Sequence, residues 1–261
     1  PTPLLEKDRV YLHYGTNGTA CLSNNGQLVW KNQLKYNHGH GPGGSPILYE
    51  HSLIVSCDGT DIQYVTALDK NNGKILWKRP RQGRMAYSTP LVIEYSGRPQ
   101  LISTGGDQVI SYDPETGKEI WWLRYNGFSG VPRPVFGHGL IFVCSGYESP
   151  VLYAIRPNGT GDVTATHMVW RLSRGAPLNP SPILVGDEIY VVSDIGVATC
   201  LDARTGKIHW KKRIGGNFSA SPLYGAERIY FLNEDGETTI VAPKTSFREL
   251  GKNNVQGRTL A

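Results

Sequence analysis

Leu201-Asp202-Ala203-Arg204-Thr205-Gly206-Lys207-Ile208-His209-Trp210 decides the fold, because the chain repeats it. Leu68-Asp69-Lys70-Asn71-Asn72-Gly73-Lys74-Ile75-Leu76-Trp77 is a second copy, and Tyr112-Asp113-Pro114-Glu115-Thr116-Gly117-Lys118-Glu119-Ile120-Trp121 a third. A short form ends at Trp30, and a longer one runs from Ile155 to Trp170. The Asp at the head of such a turn accepts hydrogen bonds from backbone two residues on, and the Gly supplies the positive φ of a tight hairpin. Beyond the turn, Ile208 and Trp210 share one face of a strand while Lys207 and His209 share the other. Asp69, Asp113 and Asp202, Gly73, Gly117 and Gly206, and Trp30, Trp77, Trp121, Trp170 and Trp210 are therefore expected to be structural. Each such tryptophan can bury about 150–250 Å².

A second marker fixes the phase. A small or polar residue followed by Pro opens an apolar strand at Thr2-Pro3, Ser45-Pro46, Thr89-Pro90, Arg133-Pro134, Ser181-Pro182 and Ser221-Pro222, at intervals of 43, 44, 44, 48 and 40 residues. Four short strands in every ~40–45 residues is the signature of a propeller blade. The fold expected is all-β, a β-propeller of four-stranded antiparallel blades. One propeller domain or segment is expected over 1–261, with repeats at about 1–44, 45–88, 89–132, 133–180, 181–220 and 221–261. The fourth repeat carries an insertion, Asn158 to Thr166, expected to be a plain lengthened surface hairpin. The sixth has lost the turn motif, reading Val241 to Leu250 with Ala242 for the Asp, Ser246 for the Gly and Leu250 for the Trp.

The totals agree with this and exclude other classes. Apolar content of 39% with 31 Gly and 17 Pro suits a turn-rich globular chain and not a helical bundle. No apolar run approaches the ~18 residues of a membrane-spanning helix. A net charge of +5, with basic residues scattered, gives no nucleic-acid footprint. The densest basic run, Lys211-Lys212-Arg213, falls on an edge strand, where charge discourages pairing with other chains. Cys21 and Cys200 hold one repeat position and Cys57 and Cys144 another, so four buried, unpaired thiols are expected.

The three Asp…Gly…Trp copies, with Ser-Pro opening each unit, resemble the tryptophan-docking repeat of the quinoprotein-like, or PQQ-like, propellers over nearly the whole chain. The resemblance implies a ring of seven or eight blades, of which this chain would be six. It also implies one of two functional branches. One is the quinoprotein dehydrogenases, which hold pyrroloquinoline quinone and calcium. The other is the non-enzymatic envelope propellers that resemble the outer-membrane assembly lipoprotein. The dehydrogenase branch typically carries adjacent cysteines and a Glu, Asn and Asp metal set. This chain has no Cys-Cys pair, and no motif singles out Asp58, Asp61, Asp107 or Asp194, which read as turn formers.

Functional residues are sought where the repeats disagree, in the loops joining one blade's last strand to the next blade's first. These loops carry His38, His40, Arg84, Tyr87, Arg133, Arg174, Asn179 and Asn217. His38 and His40, two apart, point the same way on an extended segment, but no third ligand stands nearby and no metal is expected. Arg84, Tyr87, Arg133 and Arg174 suit an anionic or peptide ligand, unless neighbouring acids or carbonyls engage the arginines. Trp122 faces away from Trp121 and is a candidate for an interaction surface. There is no Gly-x-Ser-x-Gly elbow and no phosphate-cradling loop. The function expected is a non-catalytic binding or scaffold propeller for a protein or peptide partner in the periplasm or cell envelope, without a cofactor. The alternatives are a quinone-dependent dehydrogenase, with quinone and calcium, and the sensor domain of a signalling protein.

Overall fold

A computed structural model describes residues 1–260. Among them there is no α-helix, only a 3-10 turn at Gly15–Asn17, and the strands form six sheets. Each sheet is built on an antiparallel meander of four strands, as the repeat predicts, and that of blade three gains a fifth. Blade one runs from Leu4–Glu6 to Leu28–Asn32, and blade two from Ile47–Tyr49 to Ile75–Pro80. Blade three runs from Leu91–Tyr95 to Glu119–Arg124, and blade four from Val135–Gly137 to Met168–Leu172. Blades five and six run from Ile183–Val185 to Ile208–Arg213 and from Leu223–Gly225 to Glu249–Asn254. The chain divides into two compact units, Pro1–Val131 with Asn158–Ala165, and Pro132–Pro157 with the chain from Thr166 onward.

The turn of the repeated decapeptide is built as its residues require. Asp202 accepts hydrogen bonds from the amides of Arg204 (3.0 Å) and Thr205 (2.8 Å) and from the Thr205 hydroxyl (2.8 Å). Asp113 does the same with Glu115 and Thr116. Those bonds hold the Asp202 carboxyl below its ordinary range, the Thr205 hydroxyl first. Gly73, Gly117 and Gly206 take φ of 72°, 67° and 72°.

The same glycines are also seats. A Cβ on Gly73 would lie 2.5 Å from the Trp30 ring, one on Gly117 2.6 Å from Trp77, and one on Gly206 2.6 Å from Trp170. Each tryptophan of one blade thus rests on the bare turn of the next and donates its indole N–H into it. The acceptors are the carbonyls of Lys70 (2.8 Å), Pro114 (3.1 Å) and Ala203 (3.0 Å). Between blades one and two, Tyr11, Cys21 and Trp30 pack with Leu53, Val55 and Cys57 in one core cluster.

The Pro marker carries a second tie. The amide of Thr2 donates to the Ser45 hydroxyl (2.7 Å), and that of Ser45 to Thr89 (2.9 Å). In the second unit Arg133 donates to Ser181 (3.0 Å), and Ser181 to Ser221 (2.9 Å). A hydroxyl beside the proline, at Ser45, Thr89, Ser181 and Ser221, is what lets each of these blades bond the one before it. Arg133, a candidate ligand residue, is thus fixed through its backbone while its side chain stays exposed.

Blade three departs from the pattern. Trp121 donates to Gln100 of its own blade (2.9 Å) and is fully buried. The insertion is not a plain surface hairpin. Gly161–Asp162 pairs in parallel with the last strand of blade three, opposite Trp121 and Trp122. Val163 donates to the Trp122 carbonyl (2.9 Å), and Arg124 to the Thr164 hydroxyl (3.0 Å). The register supplies the reason. The residue after the docking tryptophan is Lys31, Lys78, Arg171 or Lys211 in other blades, and Lys252 stands at the same place in blade six. Blade three has Trp122 there, so no charge stands at the middle of that edge and a strand can add to it.

In blade six the docking position is Gly251, opposite Ile240, and not Leu250. The turn is one residue longer, closed from Ala242 to Arg248 where blade five closes from Asp202 to Lys207, so counting along the decapeptide misses by one. Trp210 still donates to the Lys244 carbonyl (2.9 Å), with Phe247 edge-on to its ring. All four cysteines are buried and unpaired, and burial pushes the Cys200 thiol up to about 12.

Candidate functional site

The loops between blades are shaped by carboxylates on the turns between second and third strands. In the first unit, Asp61 accepts the Asn37 amide (2.7 Å), which lowers its carboxyl. Asp107 takes a bidentate bond from Arg84 (2.9 and 2.6 Å), the main cause of its lowered carboxyl. Close backbone approach makes that pairing reachable: a Cβ on Gly106 would lie 2.3 Å from the Arg84 carbonyl. The Arg84 guanidinium also lies 4.2 Å over the Phe128 ring.

Tyr87 links two loops. Its hydroxyl donates to the His38 carbonyl (3.1 Å), and its ring lies 6.2 Å from exposed His40. His38 accepts the Gly41 amide at Nδ1 (3.1 Å), so its ring shapes its own loop. Backbone bonds from Ser129 to Met85 and from Tyr87 to Gly130 zip the two following loops together. The structure therefore gathers His38, His40, Tyr87 and Arg84 on neighbouring, mutually bonded loops.

Deeper in the same unit lies a pair that sequence reasoning missed. Asp58 and Arg81 form a bidentate ion pair with side chains 2% and 1% exposed, and Arg81 also donates to the Ser103 hydroxyl (3.0 Å). Burial pushes the Asp58 carboxyl up, and the charge of Arg81 opposes that push. Asp58 was legible only as an acid at a strand end, and nothing in the sequence names its partner 23 positions away.

In the second unit Asp194 is the organiser. It accepts the amides of Leu178 (2.7 Å) and Asn179 (3.1 Å) and the Asn179 side-chain amide (2.6 Å), while its own carbonyl accepts the Phe218 amide. Glu234 repeats the device, bonding Ser219 through its carboxylate and the Asn217 carbonyl through its amide. Asn179 and Asn217 are thus held in place. Beside Asp194 opens a cavity of about 470 Å³ whose wall includes Pro150, Ala176, Leu178, Ile195 and Val197. Ile195 is 61% exposed beside it. The rim is basic: Lys211 donates to the Arg174 carbonyl (2.8 Å), and the Arg174 side chain is exposed. Fixed loops and a mainly apolar hollow, lined also by Lys211 and by an Asp194 already committed to Leu178 and Asn179, with the exposed Arg174 beside it, suit an apolar anchor flanked by acidic groups.

A metal centre finds little here. Among the described residues no three His, Cys, Asp or Glu side chains are grouped to hold an ion. Asp58, Asp107 and Asp194 are each committed to the protein partners just described.

Comparison with known proteins agrees with the fold. A family model described as "Outer membrane protein assembly factor BamB" matches residues 61–164 and 160–246. The outer membrane protein assembly factor BamB of Burkholderia pseudomallei is 28% identical over 230 residues, 81% of this chain and 55% of that protein. A tetrathionate hydrolase of Acidithiobacillus ferrooxidans is 22% identical over 189 residues, 64% of this chain and 35% of that protein. This chain therefore spans about a third to a half of those relatives. The crystal structure of BamB from Moraxella catarrhalis superposes with a TM-score of 0.74 at 16% identity, covering 96% of this chain and 74% of that one. Blades, docking tryptophans and a family match over most of the length lead to one conclusion: the chain belongs to the PQQ-like β-propeller family described as outer membrane protein assembly factor BamB.

Proposed function

We propose that this chain is a non-catalytic docking propeller, holding a protein partner of outer-membrane assembly in the bacterial cell envelope. The observation that carries the reading is the apolar cavity beside Ile195, with its basic rim at Arg174 and Lys211 and its loops fixed by Asp194. The named relatives support the setting. The partner's contact segment is an apolar side chain followed by carboxylates, since Lys211 and the exposed Arg174 form no ion pair among those described and the lining carboxylate, Asp194, is spent on Leu178 and Asn179. A photo-crosslinking residue at Ile195 tests this in cells. Capture of an envelope assembly component there, and not from a residue at Ile75, supports the reading; capture from both alike, or from neither, contradicts it.

The quinone-dependent alternative lacks support from the residues. Its calcium set needs uncommitted carboxylates, and of the acids after second strands Asp58, Asp107 and Asp194 are tied to Arg81, Arg84 and Asn179. Added pyrroloquinoline quinone and calcium are expected to give no dye reduction with alcohols or sugars.

A further inference from the structure

Blade three holds Trp122 where the register puts Lys or Arg in other blades, and neither the architecture nor the docking role requires an indole there. The strap at Gly161–Asp162 is bonded to that residue's backbone. The Trp122 indole lines a hollow of about 310 Å³ with Gln82, Gln108, Glu119 and Arg124. A second hollow of about 300 Å³ shares Gln82, Gln108 and Arg124 with it and continues towards Tyr125. Each is at the lower end of the size of small-ligand pockets, roughly 300–1,000 Å³.

The chemistry of the lining is specific. One face is aromatic. Beside Pro80 and Ile110, the polar groups are the carboxamides of Gln82 and Gln108, the carboxylate of Glu119 and the guanidinium of Arg124, with the ion-paired Arg81 beneath, and together they supply both donors and acceptors in planar arrays. Glu119 and Arg124 balance, while Arg81 is paired with Asp58 and Asp107 with Arg84, so the cleft does not select a polyanion. Among the described residues the side chains of Gln82 and Glu119 make no hydrogen bond, whereas Gln108 donates to the Gln82 carbonyl (2.6 Å) and is thereby oriented. A pyranose ring has this complementary character: an apolar C–H face that packs on an aromatic ring, and an edge of hydroxyls that both donate and accept.

We infer that the cleft between the last strand of blade two and the outer strands of blade three is a carbohydrate site for a short, uncharged oligosaccharide. One sugar stacks on Trp122, and its hydroxyls bond Glu119, Gln82 and Arg124. The strap fixes the platform: its Asp162 stands opposite Trp122, and the Thr164 hydroxyl and amide hold the Asp162 carboxyl low.

The test is a titration of the whole chain with N,N′-diacetylchitobiose, cellobiose and maltose, followed by calorimetry and by the indole N–H resonances. At least one disaccharide is expected to bind saturably, with a dissociation constant of about 1 mM or tighter, and to shift the Trp122 resonance. Trp122→Phe and Glu119→Ala are each expected to weaken that binding roughly tenfold. Glu119 is exposed, so its variant keeps the proposal testable if Trp122→Phe misfolds. No binding by any of the three sugars, shifts confined to other tryptophans, or unchanged binding by Glu119→Ala would overturn it.

Discussion

Trp170 rests on Gly206, the glycine of the next blade's turn, at a distance that leaves no room for a β-carbon. The turn and its neighbour's ring therefore define each other, and a comparison of glycines separates the two demands on Gly206. Gly97 has the same φ of 72°, but a β-carbon there would meet nothing within 4 Å. Gly97→Ala is expected to lose about 1 kcal/mol, the left-handed strain alone. Gly206→Ala also lifts Trp170 from its seat and is expected to lose about 3 kcal/mol or more. Urea unfolding of both variants checks the difference, and equal losses would refute the seat.

The turn chemistry and the blade phase were legible because both are local and repeated. Asp202 bonds residues two and three positions on, and the Ser-Pro marker recurs at nearly constant intervals. What lay beyond the sequence was non-local or depended on register. The seat for Trp170, the Asp58–Arg81 pair and the strap on Trp122 each join segments that are distant in the chain. The loop residues were located by their disagreement between repeats, but the acids that restrain them resembled ordinary turn formers. Arg84 and Asn179 illustrate this: each was visible, and each proved to be held by an aspartate at a strand turn.

Asp58 and Arg81 are hydrogen-bonded to each other out of solvent, so removing either alone strands a buried charge. Arg81→Ala is expected to destabilise the chain by about 3–5 kcal/mol. The double change Asp58→Leu with Arg81→Met should be milder than that single variant. Denaturant unfolding of the set decides it, and additive losses would contradict the pairing.

His13 makes stability depend on pH. It is bonded to Thr19 (2.8 Å) and to Tyr36 (3.1 Å), and burial first, then the amino terminus and His38, lower its pKa from 6.5 to about 4. The unfolded chain takes up a proton below pH 6.5 that the folded chain refuses until about 4. Its contribution is therefore complete above 6.5 and falls away by up to about 3 kcal/mol as pH drops to 4. His13→Gln should flatten that slope by one proton, as read from unfolding free energies across the range.

The strap on blade three should protect the strand beneath it. Val163→Pro removes the amide that donates to Trp122 (2.9 Å). Amide exchange across Glu119–Arg124 should then quicken, while the last strand of blade five, which carries no strap, keeps its rates. Unchanged exchange in both strands would show the strap to be incidental.

The docking reading turns most directly on the affinity of the chain for the envelope protein captured at Ile195. Ile195→Asp fills the apolar hollow with charge, and Arg174→Glu reverses the rim. Each variant should bind that protein at least roughly tenfold more weakly while unfolding at the same urea concentration as the parent chain. Affinity unchanged by both substitutions would contradict the account.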